Sequence, residues 1–358
     1  MNKLFGGIYS GRRVLVTGHT GFKGSWLCLW LTTLGAHVTG LALVPDTNPS
    51  HWNLLDLKEV CGLHVDLRDG EVVRRTLEQI QPEIIFHLAA QPLVRRSYSE
   101  PVITFDTNVL GLVHLFEAVR TTPSVRALIN ATTDKVYLEH PTAAGYREDH
   151  PLGGHDPYST SKACAELVTE CYRKSFFADS GPRVATARAG NVIGGGDWSK
   201  HRLVPDLVRA ASTGGVLQIR NPDAVRPWQH VLEPLSAYLR LGQALLIGDP
   251  VEGPWNFGPA ADATFPVRAL VAQMQAQWPG LQVEHQRGPQ PHEAKILRLD
   301  CSKAARELAW RSVWNAADTL RYTSAWYRAW YEHGQIRSSE HLQDYVTAAR
   351  AAGLGWAA

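Results

Sequence analysis

The sequence contains few cysteines, and their spacing does not pair them. The five lie scattered at Cys28, Cys61, Cys164, Cys171 and Cys301, and none forms a C-x-x-C pair. A disulfide framework normally shows an even, patterned set, so we expect free thiols and a cytoplasmic location. The 15 histidines include no metal-ligand spacing such as H-E-x-x-H, so no metal site is expected.

The chain also lacks a surplus of charge of either sign and a long apolar run. Lys and Arg number 36 against 34 Asp and Glu, which gives a net charge of +2. Nucleic-acid binders need a basic surplus or stripe, so this balance argues against that class. No apolar run reaches the ~18 residues of a membrane-spanning helix, and we expect no signal peptide. The 44% of hydrophobic residues is typical of a globular protein with a large core.

Short apolar runs alternate with helical patterns over the first 190 residues. Strands are predicted over 13–17, 38–43, 63–65, 84–87, 127–131 and 184–188, and helices over 25–34, 71–79, 106–120 and 163–177. This alternation predicts an α/β fold, a Rossmann-type doubly wound parallel sheet with helices on both faces.

Beyond residue 190, glycines and prolines interrupt the pattern, which predicts a smaller substrate-binding region over the carboxyl edge of the sheet. A prior of roughly 150 residues per domain also gives two domains. We expect a dinucleotide-binding domain over 1–189 plus about 229–259, and a substrate domain over 190–228 plus 260–358.

A glycine-rich turn joins the first predicted strand to the first predicted helix. Gly18, Gly21 and Gly24 have the spacing G-x-x-G-x-x-G. Such glycines permit a tight turn and close approach of the backbone to a pyrophosphate, which the N-terminus of the helix then binds. The alternative is an ordinary glycine-rich β-turn, but the strand–turn–helix context favours a dinucleotide site.

The sequence favours NAD over NADP. An NAD site needs an acid near the end of the second strand, and Asp46 lies slightly late, after a proline. Asp46 fits either a ribose ligand or a turn residue. No arginine lies in that loop to bind a 2′-phosphate, and Asp66, after the third strand, supplies a carboxylate at the level of the adenine.

Two groups of reactive side chains are predicted to face the same cleft. Tyr158 and Lys162 are four residues apart, which places them on one face of a helix. The lysine, together with a cationic nicotinamide, would lower the pKa of the phenol and make it a usable base. Thr133, Asp134 and Lys135 follow the fifth strand and offer a hydroxyl, an acid and a base. Taken separately, the two groups could be a solvated helix face and a charged loop.

Together these motifs resemble the extended short-chain dehydrogenase/reductase family. The resemblance covers essentially the whole chain, and further matching segments lie at 87–91, 188–192, 226–231 and 256–258. Within the family, the sequence is most similar to the sugar-nucleotide 4,6-dehydratases, because an acid–base pair, Asp134 and Lys135, directly follows the strand-end Thr133. Simple epimerases carry no such pair there.

The resemblance implies an NAD-dependent reaction on a nucleotide sugar, CDP-glucose, in deoxysugar biosynthesis of the lipopolysaccharide type. Tyr158, held by Lys162, would take the proton of the sugar 4-hydroxyl while C4 is oxidised, and Thr133 would bind the 4-oxygen. Lys135 would remove the C5 proton and Asp134 would protonate the departing 6-hydroxyl. Return of the hydride to C6 would give a 4-keto-6-deoxy sugar, so that NAD stays bound through turnover.

The resemblance also implies two sets of binding residues. The predicted cofactor contacts, besides Tyr158 and Lys162, are Gly18, His19, Thr20, Gly21, Phe22, Gly24, Asp66, Leu67, Leu88, Ala89, Ala90 and Asn108. The predicted contacts to the nucleotide sugar are Asn191, Arg202, Arg220, Arg226 and His292.

Other functions remain open at this stage. One alternative is a dehydratase or a C4 epimerase for another nucleotide sugar, and another is a non-catalytic dinucleotide sensor, which would be expected to lack the Tyr158–Lys162 pair. A homodimer is expected through the helices at 106–120 and 163–177, as in the family. The apolar stripe of Val109, Leu112, Val113 and Phe116 fits either that interface or packing on the sheet.

Overall fold

The main sheet consists of parallel strands in an order typical of a doubly wound fold. The computed structural model describes residues 1–140, 145–260, 263–278, 280–285 and 298–358. Within them, seven strands pair in parallel in the order β10-β6-β5-β4-β1-β2-β3. They are β1 (Arg13–Thr17), β2 (His37–Ala42), β3 (Cys61–His64), β4 (Ile84–His87), β5 (Ala127–Ala131), β6 (Arg183–Ala189) and β10 (Gly253–Phe257). The predicted fold class is confirmed.

Strand order reverses at β1, which pairs with β2 on one side and β4 on the other. A crevice at the carboxyl ends of the strands opens where an open α/β sheet reverses in this way, and ligands bind there. The glycine turn after β1 lies at this switch point.

Shorter strands form two small sheets after the chain leaves β6. One contains β7 (Asn191–Ile193), β9 (Val225–His230) and β11 (Thr264–Pro266), and the other contains β8 (Val216–Ile219) and β12 (Gln282–His285). Between β9 and β11 the chain returns to the main sheet through a long helix and β10. The division into two domains stays a prediction, and the interleaved path of the chain supports it.

Helices cover both faces of the main sheet. They are α1 (Phe22–Thr33), α2 (His51–Leu55), α3 (Gly70–Ile80), α4 (Val94–Ser99), α5 (Pro101–Phe105), α6 (Gly111–Arg120), α7 (Pro157–Ser175), α8 (Leu203–Thr213), α9 (Leu232–Ile247), α10 (Val267–Gln275), α11 (Ser302–Glu307), α12 (Ala316–His333) and α13 (Ser338–Ala351). The apolar side chains of α1 and α9 pack in one core cluster, and those of α3, α6 and α7 pack in a second.

Three predicted helices differ from the structure, and α1 begins at Phe22, three residues earlier than predicted. Helix α7 begins at Pro157, before Tyr158, because Asp156 caps it by accepting a hydrogen bond from the Ser159 amide. The helix predicted over 106–120 is interrupted by a π-helical turn at Asp106–Leu110, and α6 follows that turn.

The helical stretch Pro101–Arg120 is long and apolar enough, by length and composition, to cross a membrane. Its apolar window is 44% buried inside the fold. Leu112 and Phe116 are fully buried there, whereas Val109 and Val113 are half-buried. We therefore interpret this stretch as a core helix.

The C-terminal helices pack against the rest of the fold through tryptophans. Trp310, Trp314 and Trp326 are buried, and the ring of Trp356, after α13, stacks on Phe5 with centroids 5.0 Å apart. Helix α13 also contacts α1. The end of the chain thus supports the helix that begins at the glycine turn.

Candidate active site

A cavity of about 690 Å³ runs along the carboxyl ends of the main-sheet strands. One end is lined by the glycine turn and the loops after β2, β3 and β4. The middle is lined by the segment after β5 and the start of α7, and the other end by the residues around β7, α8 and β9. The cavity is therefore long enough to bring a dinucleotide and a second ligand together.

The glycine turn forms a cradle that excludes side chains. Gly18 has a φ of +76°, and a Cβ there would lie 2.7 Å from the Ala89 amide nitrogen. A Cβ at Gly24 would lie 2.1 Å from the Gly18 carbonyl oxygen. Gly18, Gly21 and Gly24 line the cavity with Thr20 and Phe22. Helix α1 begins directly behind this cradle, so its free amides are placed to bind a pyrophosphate.

The structure places His19 behind the turn, away from the cavity lining. Its ring is buried and makes an edge contact with Trp52, with centroids 4.6 Å apart. A Cβ at Gly40 would lie 2.3 Å from the ring, and one at Gly62 would lie 3.1 Å away. Burial lowers the pKa of His19 to about 4. The side chain therefore packs the turn onto β2 and β3.

The adenine end of the cavity is lined by the predicted residues and by two further charged ones. Asp66 and Leu67 lie in the lining, together with Arg68 and Asp46. Arg68 pairs with the Asp66 carboxylate at 2.6 Å and lowers the pKa of that carboxyl. Asp46 also lines the cavity, and its role as a ribose ligand stays a prediction.

Leu88, Ala89 and Ala90 line the cavity after β4, and Asn108 supports them from behind. The Asn108 carboxamide accepts from the Gln91 amide at 2.8 Å and donates to the Ser161 hydroxyl at 2.9 Å. Asn108 is 2% exposed and lies in the π-helical turn, a feature that is frequent at functional sites. It holds the β4 loop against α7.

The structure brings the five predicted catalytic residues together at the centre of the cavity. The Lys162 ammonium donates to the Ala131 carbonyl at 3.0 Å, at the end of β5. Lys135 Nζ lies 3.0 Å from Asp134 Oδ1, which also accepts from the Thr133 hydroxyl at 3.1 Å. Asp134 Oδ2 is buried and has no hydrogen-bond partner within the described residues. Side chains with acid, base and hydroxyl functions therefore face the same space as the Tyr158 phenol.

Burial dominates the electrostatics of the Tyr–Lys pair. It raises the pKa of Tyr158 to about 12, although a hydrogen bond with Thr133 opposes the shift. Burial likewise lowers the pKa of Lys162 to about 8, against the opposing effect of the Glu166 carboxylate. The protein chain alone therefore does not supply the lowered phenol pKa that the sequence argument expects from Lys162 and a cationic nicotinamide together.

Four predicted substrate contacts line the far end of the cavity: Asn191, Arg202, Arg220 and Arg226. Arg202 is held by Asp197 at 3.0 Å, and the Asp197 amide and carbonyl both hydrogen-bond to the Tyr327 hydroxyl of α12. The predicted contact His292 lies outside the described residues.

Sequence reasoning did not assign a role to Lys23, which lies in the glycine turn and lines the cavity. Burial, with Arg202 and Lys162 nearby, lowers the pKa of Lys23 to about 7. The available signal was the presence of a charged residue between Phe22 and Gly24, at the start of α1. Lys23 adds a titratable amine close to the predicted catalytic residues Asp134, Lys135 and Lys162.

The fold and site define an enzyme of the extended short-chain dehydrogenase/reductase class. A glycine cradle lies at the switch point of the parallel sheet, with a tyrosine and a lysine one helical turn apart in the same cavity. The chain belongs to the GDP-mannose 4,6 dehydratase family, whose family model matches residues 15–323.

Individual relatives agree with this assignment. The chain is 46% identical over 354 residues to CDP-glucose 4,6-dehydratase of Salmonella typhimurium, covering 95% of this chain and 98% of that protein. Among solved structures, the UDP-glucose 4-epimerase of Thermus thermophilus in complex with NAD is 27% identical with a TM-score of 0.77, covering 88% of this chain and 99% of that one. The dTDP-glucose 4,6-dehydratase of Streptomyces venezuelae, also with NAD bound, is 26% identical with a TM-score of 0.76, covering 89% and 99%.

Proposed function

We propose that this chain is an NAD-dependent dehydratase that converts CDP-glucose to CDP-4-keto-6-deoxyglucose. The observation that carries the proposal is the Lys135–Asp134 pair, 3.0 Å apart, in the cavity that also holds Tyr158 and Lys162. An oxidising Tyr–Lys pair alone would suit an epimerase. The additional acid–base pair supplies what elimination of water needs.

The residues of the first half of the cavity fit NAD. The glycine cradle excludes side chains from the place of the pyrophosphate, and Asp46 offers a carboxylate for the ribose hydroxyls. When bound, NAD accepts a hydride from C4 of the sugar and returns it to C6. The relatives of known structure named above bind NAD, which supports the choice of cofactor.

In the oxidation, Tyr158 takes the proton of the sugar 4-hydroxyl. Thr133 lines the cavity with the phenol and opposes the rise of its pKa, so it is placed to hold the 4-oxygen. Lys162, anchored on the Ala131 carbonyl, keeps a positive charge next to the phenol at neutral pH, since its pKa is about 8. That charge stabilises the phenolate as the proton moves.

In the elimination, the 4-ketone makes the C5 proton acidic, and Lys135 removes it. The side chain of Lys135 is 26% exposed, so its amine reaches into the cavity. In the neutral form of the pair the shared proton lies on Asp134 and the Lys135 amine acts as the base; Asp134 then gives that proton to the departing 6-hydroxyl, water leaves, and the ion pair is restored. Lys135 would return its proton to C5 as the hydride supplied by NAD is added at C6, and the proton that Tyr158 took from the 4-hydroxyl would restore Asp134, so the cofactor would end in its starting oxidation state.

The far end of the cavity suits a nucleoside diphosphate. Asn191, Arg202 and Arg226 offer an amide and two guanidinium groups for the pyrophosphate, and Arg220 lies beside them. The preference for cytidine is supported by the 46% identity to the Salmonella enzyme over nearly the full length of both chains. The product is a deoxysugar precursor of the kind used in lipopolysaccharide.

We also propose a homodimer in the cytoplasm. On the helices predicted for the interface, Leu110 is exposed by 51% and Leu167 by 59%, and Val102, just before the first of these helices, is exposed by 78%. Exposed apolar patches of this kind mark association surfaces. All five cysteines are free thiols, in keeping with a reducing compartment.

The function is tested by offering the purified protein CDP-, dTDP-, UDP- and GDP-glucose with NAD and identifying the product. We expect a 4-keto-6-deoxy sugar, with its alkali-labile chromophore, from CDP-glucose. The same product from another nucleotide sugar alone would shift the proposed substrate. A C4 epimer with no keto sugar would refute the dehydratase assignment.

A further inference from the structure

A buried ion pair lies next to residues 132–137, which are called the catalytic segment below because they include Thr133, Asp134 and Lys135. Arg188 of β6 and Glu166 of α7 are 3% and 4% exposed. The Arg188 guanidinium donates two hydrogen bonds to the Glu166 carboxylate, from Nε to Oε1 at 3.0 Å and from Nη2 to Oε2 at 2.9 Å. Replacing such a pair by apolar residues is often neutral or stabilising, so stability alone gives little reason for it.

The two members of this ion pair hold the two ends of the catalytic segment. The Thr132 hydroxyl, at its start, donates to Glu166 Oε1. The Tyr137 hydroxyl, at its end, accepts from Arg188 Nη1 at 2.8 Å. Thr133, Asp134 and Lys135 lie between these two anchors.

The second anchor is itself fixed on several sides. Tyr137 donates to Asn256 Oδ1 at 2.6 Å, and its ring stacks on Tyr146 with centroids 4.9 Å apart. The Asn256 amide donates to Glu148 Oε1 at 2.8 Å. The end of the segment is therefore held by β6, β10 and the loop before α7 together.

We propose that the Glu166–Arg188 pair is a positioning device that fixes both ends of residues 132–137 and so aims Asp134 and Lys135 for the elimination step. A base and an acid on a short irregular segment act efficiently only when held in productive geometry, and a misplacement of about 1 Å can lower a rate roughly 100-fold. Glu166 and Arg188 act through Thr132 and Tyr137, so all four are positioning residues. The inference rests on the proposed dehydratase function.

The chain offers a matched control for this role. Thr186, on β6, donates its hydroxyl to Glu166 Oε2 at 2.6 Å and is 3% exposed, whereas Thr132 is 6% exposed. Thr132→Val and Thr186→Val therefore remove the same kind of hydrogen bond from the same carboxylate. Of the two substitutions, only Thr132→Val removes a hydrogen bond that holds the catalytic segment.

The test compares Tyr137→Phe, Thr132→Val and Thr186→Val in the NAD-loaded enzyme. Tyr137→Phe keeps the stacked ring and leaves Arg188 bonded to Glu166 and to the Glu148 carbonyl, so the fold should be retained. In single turnovers, we expect Tyr137→Phe to slow keto-sugar formation about tenfold or more, with C4 oxidation at 340 nm within threefold of wild type. We expect Thr132→Val to slow both C4 oxidation and keto-sugar formation, because Thr132 adjoins Thr133. We expect Thr186→Val to leave the rates of both steps within threefold of wild type.

Amide hydrogen exchange of peptides covering 132–138 gives a second readout that needs no substrate. We expect exchange to rise about tenfold in Tyr137→Phe and Thr132→Val, and to stay at the wild-type rate in Thr186→Val. The inference would be overturned if Tyr137→Phe and Thr132→Val showed wild-type rates of exchange and of elimination. It would also be overturned if all three variants changed these rates equally. A wild-type protein that dehydrates no nucleotide sugar would refute the proposed function instead, and the exchange result would then decide whether the ion pair holds the segment.

Discussion

Replacing Lys135 by alanine tests the assignment of the elimination base. Lys135 is 26% exposed and pairs with Asp134 at 3.0 Å. The Asp134 side chain is only 1% exposed, so removing its partner costs more than the about 0–1 kcal/mol of a surface pair, and the folding of the variant is checked by thermal unfolding. A positioned general base contributes about 10²- to 10⁴-fold in rate, which corresponds to about 3–5.5 kcal/mol of barrier.

The assay follows the two chemical steps separately with CDP-glucose. We expect Lys135→Ala to oxidise C4, so that reduced cofactor accumulates at 340 nm, while keto-sugar formation falls at least 100-fold. Lys58→Ala is the control, because Lys58 pairs with Asp56 at 2.7 Å and lies outside the cavity lining. Keto-sugar formation by Lys135→Ala within threefold of the wild-type rate would refute the role of Lys135.

Three further predictions concern the phenol, a buried carboxyl and the exposed helix face. Tyr158→Phe should slow C4 oxidation at least 100-fold in stopped-flow absorbance, and a wild-type rate would contradict its role as the base. Burial raises the pKa of Glu233 to about 7, from 4.5 in the unfolded chain. The folded protein therefore binds this proton more tightly, which contributes about 3 kcal/mol to the free energy of unfolding below pH 4.5, and this contribution is lost as pH rises through 7. Denaturant unfolding between pH 5 and 8 should show this loss in wild type and not in Glu233→Gln, and equal slopes would contradict it. The double substitution Leu110→Glu and Leu167→Glu should shift the sedimentation coefficient from that of a dimer to that of a monomer. The control Val44→Glu, at a 67% exposed side chain outside these helices, should leave the dimer intact. A dimer that persists in the double variant would argue for another interface.

The strands of the fold were predictable because the signal is local. The pattern places β1, β4 and β5 at the residues where they occur and misses the ends of β2, β3 and β6 by one or two residues, but it predicts none of the strands from β7 onward. The π-helical turn was not predicted; its Asn108 accepts a hydrogen bond from the Gln91 amide and donates one to the Ser161 hydroxyl, and both partners are distant in sequence. Local patterns carry no information about such partners.

The site was predictable to the extent that its residues follow strand ends. Asp134 and Lys135 meet Tyr158 because the carboxyl ends of parallel strands open at one edge. The place of His19 was not predictable, since the space beside Gly40 exists only once β2 lies against the turn. The Glu166–Arg188 pair was missed for the same reason, because neither residue has a partner nearby in sequence.

The central claim is that one bound cofactor carries hydrogen from C4 to C6 of the same sugar. The direct measurement uses CDP-glucose deuterated at C4, with product analysis by mass spectrometry and NMR. We expect a 4-keto-6-deoxy product with deuterium at C6 and no net NADH. Deuterium retained at C4 in an epimer, or released as reduced cofactor in solution, would contradict transfer from C4 to C6 by one bound cofactor.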